Sequence, residues 1–159
     1  KLKKKMIDIE QRIIDLKISI PNPPSPVGNY VAYKHCDSTI YISGQLPINE
    51  NGNMIKGKIG KDLTLEDGKK AARYAILNAI GHLKKSAINL NNVKQCVKIN
   101  GFINSTEDFT DHAILLNAAS DLLVEIFGEK GKHARAVIGV SSLPLNAAVE
   151  IETIFEISK

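Results

Sequence analysis

Two long stretches of the chain carry apolar residues at helical spacing. The first follows Thr64, where the run Thr64-Leu65-Glu66-Asp67 is typical of a capping box with aspartate in place of glutamate, and we expect this helix to reach about Ser86. The second spans 108–127, with Gly128 as its expected C-cap. The expected buried stripes are Ala72, Ala75, Ile76, Ala79, Ile80 and Leu83 in the first helix, and Leu115, Leu116, Ala119, Leu122, Leu123 and Ile126 in the second.

Other stretches have the composition or the alternation of β-strands. Residues 30–36 and 39–44 are rich in β-branched and aromatic residues and flank Asp37-Ser38, which predicts a tight hairpin. Residues 53–62 have no clear period and are expected to form a loop. The segment 148–157 alternates, with one expected buried face formed by Val149, Ile151, Thr153, Phe155 and Ile157 and the other carrying Glu150, Glu152 and Glu156.

Two more strands are expected between the helices and after the second helix. Residues 93–103 alternate, which predicts a half-buried strand with Val93, Gln95, Val97 and Ile99 on one face. Residues 135–142 form a nearly continuous apolar run, which favours a central strand covered on both faces.

The order of elements predicts an α+β fold. Two strands, a helix, a strand, a helix and two strands are most simply arranged as a single mixed sheet with both helices on one face. The other face of that sheet would be bare although it carries apolar and mixed residues. We therefore expect a homo-oligomer that covers it.

The N-terminal region differs in charge and pattern from the rest of the chain. Residues 1–20 hold six of the 21 basic residues but three of the 17 acidic ones, whereas the remainder is nearly neutral. Met6, Ile9, Ile13 and Leu16 predict a short amphipathic helix over 3–17. We expect a basic helical arm over 1–20, a proline-rich linker over 21–26 and one domain over 27–159.

Charge and hydropathy also indicate which partners and which cellular compartment to expect. A nucleic-acid binder more often carries a basic stripe on its folded body, so we do not expect a nucleic-acid partner. No apolar run approaches the roughly 20 residues that a membrane helix needs. We expect a cytoplasmic protein, with an organelle as the alternative compartment.

Cysteine and histidine spacing argues against a metal centre or a disulfide framework. Cys36 and Cys96 stand far apart in the chain, and we expect both to be buried, reduced thiols. None of the four histidines pairs with another at i, i+4 on one helix. His133 is the one histidine of interest, since it lies two residues before Arg135.

Arg135 begins an apolar strand, where a guanidinium is costly to bury unless it is paired. Pairing of this strand with the next one would bring Glu150 or Glu152 close, so one interpretation is a structural ion pair. The other is an arginine whose rigid fork binds a ligand carboxylate, with a nearby glutamate that handles protons. The residues alone leave both open.

Around Arg135 the chain resembles the RidA/YjgF family, formerly called endoribonuclease L-PSP or translation inhibitors. The run 134–144, ARAVIGVSSLP, followed by Val149-Glu150-Ile151-Glu152, resembles the C-terminal motif of the family. Gly28-Asn29-Tyr30-Val31 and 42–47, ISGQLP, resemble its first two strands. The resemblance covers roughly 24–157 and indicates a divergent subgroup.

This resemblance implies a chorismate-mutase-like fold and a homotrimer with a central barrel and clefts between subunits. The best-studied members hydrolyse reactive 2-enamine and 2-imino acids to 2-keto acids and ammonia, without a cofactor. By motif position, Arg135 would bind the substrate carboxylate and Glu150 would position or activate water. Tyr30, Ser43, Gly44, Asn117 and His133 would line the cleft.

The chain departs from the family pattern at two positions beside the arginine. Deaminating members often carry cysteine where this chain has Val137, and a small residue or proline where it has His133. Three functions are therefore weighed: a deaminase, a non-catalytic trimer that binds a small carboxylate metabolite, and the endoribonuclease of the older family name. The nearly neutral body and the lack of a histidine acid–base pair argue against the third.

Overall fold

The computed structural model describes residues 7–158 and shows a five-stranded sheet covered by helices on one face, as predicted. The strand order is β1-β2-β5-β3-β4. The strands are β1 (Tyr33–Cys36), β2 (Thr39–Gln45), β3 (Val93–Asn104), β4 (Ala134–Val140) and β5 (Val149–Ile157). The helices are α1 (Ile9–Asp15), α2 (Leu65–Ala87) and α3 (His112–Phe127), and short 3₁₀ turns span Leu90–Asn92, Gly128–Gly131 and Pro144–Asn146.

The last strand in chain order, β5, lies at the centre of the sheet. It pairs antiparallel with β2 on one side and with β3 on the other, while β3 and β4 run parallel and are joined through α3. Because β4 pairs only with β3 among the described residues, it is an edge strand. The prediction of a central strand covered on both faces is wrong, and Ile138 within it is 53% exposed.

The two long helices follow their predicted patterns. Thr64 and Asp67 form a reciprocal capping box at the start of α2, and Gly128 caps the end of α3. All residues of the two predicted stripes are buried in one core with the apolar face of β5. The start of α3 is later than predicted, because Phe109 N–H donates to Thr106 O in a turn that precedes the helix.

Strand β3 breaks the alternation that its sequence shows. Its register with β5 shifts between Val93 and Gln95 and again between Cys96 and Lys98. These irregularities turn Cys96 into the core and leave Val97 40% exposed, the reverse of the prediction. Cys36 is exposed on the edge strand β1, so the expectation of two buried thiols is wrong for this residue.

The N-terminal helix packs onto the body of the protein. Ile9 and Ile13 belong to the core, and Ile9 N–H donates to Asn91 Oδ1 at 2.7 Å. The first part of the predicted helix, with Met6, lies outside the described residues. The proline-rich segment packs against α2, since a Cβ on Gly81 would lie 2.6 Å from Pro21 O.

The face of the sheet opposite the helices is open in a single copy of the chain. Its side chains are mixed: Asn100 donates to Glu152 Oε1 at 2.7 Å, and Ile138 and Tyr41 lie exposed nearby on the same face. The expectation that a second copy covers this face remains a prediction.

Candidate active site

Arg135 lies at the start of β4 and reaches toward α3. Its register partner on β3 is Ile99, which is fully buried beneath the helices, so Arg135 lies on the helix side of the sheet. Nη1 donates to Ser120 Oγ at 3.1 Å and Nη2 donates to Ala113 O at 3.0 Å. The remaining guanidinium N–H groups make no hydrogen bond among the described residues, so they can bind an anion.

Asn117 lies on the helix face that the guanidinium contacts, and His133 contacts Ser120 on that face. Ala113, Asn117 and Ser120 have the i, i+4, i+7 spacing that places residues on one helix face, and Asn117 is exposed there. His133 Nε2 lies 2.9 Å from Ser120 Oγ, and its Nδ1 lies 2.6 Å from Gly131 O. We call Asn117, Ser120, His133 and Arg135 the arginine cluster.

Glu150 belongs to a second group of candidate residues, and its carboxyl group packs against Gly44. A Cβ on Gly44 would collide with Glu150 Oε1, so only glycine leaves room for the carboxyl group here. Burial raises the pKa of Glu150 above its ordinary value of 4.5, and the negative charge of Glu152 raises it further. A carboxyl group of raised pKa both accepts and releases a proton more readily near neutral pH.

Ser43, which precedes Gly44 in β2, holds the segment before β1. Its Oγ donates to Val31 O at 2.7 Å, and its N–H donates to Ala32 O at 2.9 Å. Tyr30, which is 55% exposed, borders a cleft of about 60 Å³ together with Gly44 and with Asn78 and His82 of α2, and neither Ser43 nor Glu150 lines this cleft. We call Tyr30, Ser43, Gly44 and Glu150 the glutamate cluster.

Arg135 and Glu150, after which the two clusters are named, lie on opposite faces of the sheet. On β3, Ile99 pairs with Arg135 and Phe102 pairs with Glu150, and no register shift separates these two pairs. Residues three apart along a strand point to opposite faces. In addition, β3 lies between β4 and β5, so these strands do not pair.

The predicted ion pair between Arg135 and Glu150 or Glu152 is therefore wrong within one chain. Glu152 shares its face with Asn100 and Ala136, away from the arginine. The prediction assumed that consecutive strands form a hairpin, whereas β5 crosses to the far side of β3. The single chain brings the predicted site residues together as two groups and does not join them.

Sequence reasoning missed two groups that hold the arginine, Ser120 Oγ and Ala113 O. The available signal was their helical spacing with Asn117, on a helix that connects two parallel strands. Neither the pairing of β3 with β4 nor the direction of the Arg135 side chain follows from that spacing alone.

Among residues 7–158, no group of three or more histidine, cysteine, aspartate or glutamate side chains is placed to hold a metal ion. In the same part of the chain, none of the helices has the length and apolar character needed to cross a bilayer.

Comparisons with known proteins show which proteins the chain is related to. Residues 10–157 match the family described as "YjgF/chorismate_mutase-like, putative endoribonuclease". The chain is 39% identical to Protein TCP17 of Trypanosoma cruzi over 144 residues, which is 90% of each protein. It is 33% identical to the 2-iminobutanoate/2-iminopropanoate deaminase of Dermatophagoides farinae, over 86% of this chain and 92% of the relative.

A solved structure shares the fold closely. The crystal structure of a "putative endoribonuclease" from Shewanella oneidensis MR-1 superposes with a TM-score of 0.91 at 34% identity, covering 95% of this chain and 100% of that one. The region matched by the family, 10–157, contains both the arginine cluster and the glutamate cluster. The chain is therefore a member of the RidA/YjgF family.

Proposed function

We propose that this protein hydrolyses reactive 2-enamine and 2-imino acids to 2-keto acids and ammonia. The site would form in a homotrimer, where the arginine cluster of one copy meets the glutamate cluster of the next. The observation that carries the proposal is the half-buried Glu150 carboxyl group, seated against Gly44 with a raised pKa. The similarity to the mite deaminase supports the choice of substrate class.

The arginine would bind the substrate carboxylate. Two of its N–H groups are already held by Ser120 and Ala113, so the guanidinium is fixed while the others face outward. A charge-assisted fork of this kind holds a carboxylate in a defined orientation, which a lysine ammonium does not. Orientation of the imine carbon toward water supplies part of the rate enhancement.

The glutamate would handle the protons of the reaction. Glu150 as carboxylate accepts a proton from water while the water oxygen bonds to the imine carbon, which gives a carbinolamine. The protonated Glu150 then donates to the nitrogen, and the C–N bond breaks with release of ammonia. The hydroxyl proton passes to the Glu150 carboxylate and on to ammonia as the carbonyl forms. One iminium acid and one water thus give one keto acid and one ammonium ion, with no cofactor required.

A coupled assay tests the proposal. An amino-acid oxidase generates imino acids in place, and keto-acid release is measured with wild type, Arg135→Lys and Glu150→Gln. We expect acceleration by wild type, a loss of about 10²-fold or more in Glu150→Gln, and a loss of at least about tenfold in Arg135→Lys. Exposed Arg73 and Glu66 supply matched controls, Arg73→Lys and Glu66→Gln, which should keep full activity.

Binding and RNA-cleavage assays on the same purified protein distinguish the two alternatives, a metabolite-binding trimer and an endoribonuclease. If wild type accelerates none of several imino acids but binds 2-oxobutanoate in an Arg135-dependent manner, the protein is a metabolite-binding module. If wild type accelerates no imino acid but the rigorously purified protein cleaves RNA and binds it with a steep salt dependence, it is an endoribonuclease. Either result would reject the deaminase.

A further inference from the structure

Behind Arg135 runs a chain of three hydrogen bonds that ends on the backbone. Arg135 Nη1 lies 3.1 Å from Ser120 Oγ, Ser120 Oγ lies 2.9 Å from His133 Nε2, and His133 Nδ1 lies 2.6 Å from Gly131 O. Ser120 and His133 are half-buried, and Gly131 is buried. The guanidinium thus rests on a partly shielded polar relay.

With a neutral imidazole ring at His133, the chemistry of the two ends assigns the direction of every bond in the relay. Gly131 O can only accept, so His133 Nδ1 carries a proton and donates it. A guanidinium can only donate, so Ser120 Oγ accepts from Arg135. The hydroxyl proton of Ser120 then points to His133 Nε2, which accepts. In this arrangement each of the three hydrogen bonds of the relay joins one donor to one acceptor.

The backbone around Gly131 is shaped to close the relay. A Cβ at this position would collide with Leu123 O and would lie 2.6 Å from Leu123 C, so only glycine lets the turn pack against α3. This close approach fixes Gly131 O beneath the imidazole ring. The fixed ring in turn restricts rotation of the Ser120 hydroxyl.

We infer that Ser120 and His133 are positioning residues that act in series to orient the Arg135 guanidinium for a carboxylate. The inference rests on the proposed role of Arg135. Without Ser120 the guanidinium keeps a single hydrogen bond, to Ala113 O, and can turn about it. Without His133 the Ser120 hydroxyl loses its acceptor and can rotate away. Neither residue needs to touch the substrate for this effect.

The test measures carboxylate binding and turnover separately. The probe is 2-oxobutanoate, whose Kd is measured by NMR titration, alongside KM and kcat for an imino acid generated in place. We expect Ser120→Ala to raise both Kd and KM about tenfold, as for loss of a hydrogen bond to a charged group. The kcat should change by less than about threefold, because proton handling lies with Glu150.

Conservative variants should rescue each position. Ser120→Thr keeps the hydroxyl and His133→Gln keeps an acceptor, so both should bind the probe with nearly the wild-type Kd. His133→Leu removes the acceptor and should raise Kd by several-fold. The neutral analogue 2-oxobutanamide should bind equally to all these variants, since the relay orients Arg135 for a carboxylate and the analogue has none. Thermal unfolding confirms that each variant is folded.

The double variant Ser120→Ala/His133→Leu decides whether the residues act in series. We expect its Kd to equal that of Ser120→Ala, because His133 acts only through Ser120. Multiplied single effects would overturn the relay, as would a Ser120→Ala variant with unchanged Kd and KM. If Arg135→Ala itself binds 2-oxobutanoate normally, the failure lies with the proposed role of the arginine and not with the relay alone.

Discussion

Arg135 and Glu150 point to opposite faces of one sheet, with β3 between the strands that carry them. A guanidinium aimed at the helix layer and a carboxyl group aimed at the open face cannot act on one small substrate within a single copy. In the proposed trimer, the edge formed by β4 and α3 in one copy would meet the open face of another and bring the two groups together.

Complementation between two inactive variants tests this arrangement. Arg135→Ala and Glu150→Gln chains are unfolded together in equal amounts and refolded, and imine hydrolysis is then assayed. In a randomly mixed trimer, about a quarter of the clefts receive an intact arginine from one copy and an intact glutamate from the next. We therefore expect recovery of about a quarter of the wild-type activity.

Each variant refolded alone serves as the control and should stay inactive. A mixture as inactive as its components would show that both residues must belong to the same chain, which would refute the intersubunit site. Size-exclusion chromatography of the mixture checks that trimers have re-formed.

Glu150 should make the protein less stable as the pH rises. Burial raises the pKa of Glu150 in the folded chain above its ordinary 4.5. The stability that this group contributes is fully present below pH 4.5 and is lost as the pH rises through the raised value. Glu150→Gln stays neutral, so we expect its Tm to exceed that of wild type near neutral pH.

The two Tm curves should converge below pH 4.5, where both side chains are neutral. Scanning calorimetry across the range measures this. A wild-type Tm above that of Glu150→Gln at neutral pH would contradict the desolvation of the carboxyl group.

Removing the charge of Glu152 should shift the pH profile of kcat/KM. Since the charge of Glu152 raises the pKa of Glu150, Glu152→Gln should shift the acid limb of the kcat/KM profile to lower pH. High salt should reduce the difference, because Glu152 is exposed to the ions of the solvent. An unshifted limb would mean that another group titrates there.

Helix α1 offers a matched pair of isoleucines. Ile9 is fully buried and Ile14 is 67% exposed. We expect Ile9→Ala to lower the free energy of unfolding by roughly 2–3 kcal/mol, at the low end for core isoleucines because a terminal helix can detach locally. Ile14→Ala should change it by less than about 0.5 kcal/mol. Urea unfolding measures both, and equal effects would mean that α1 does not contribute to the core.

The two cysteines should differ sharply in reactivity. Cys36 is exposed, whereas Cys96 is buried and its thiol pKa is raised to about 12 by burial. Since the thiolate is the reactive form, an alkylating reagent should modify one thiol in the native protein and two in urea. Mass spectrometry counts the labels, and rapid native labelling of Cys96 would show that β3 opens.

The long helices could be predicted from sequence because their signals are local. The Thr64 capping box and the apolar stripes of α2 and α3 depend on residues within one or two turns. The environment of β4 was not predictable in this way. An apolar run such as 135–142 is equally typical of a central strand and of an edge strand that packs on one side and leaves Ile138 open.

The candidate residues were identified by motif, but their relationship required the pairing of strands. No local sequence pattern predicts that β5 lies on the far side of β3, which separates Glu150 from Arg135. The shifts that bury Cys96 likewise come from the fit of β3 against β5 and leave no trace in the alternation. Ser120 carries no motif, and its role depends on the direction of the Arg135 side chain.

The central position of β5 has a consequence for how the chain folds during synthesis. Strands β2 and β3 each pair with β5 and not with one another, so earlier elements leave the ribosome as two separate sheet fragments. Each fragment exposes a strand edge until the last strand arrives between them, and exposed edges invite aggregation. A nascent chain that stalls before Val149 would therefore be a substrate for chaperones rather than a smaller version of the same protein.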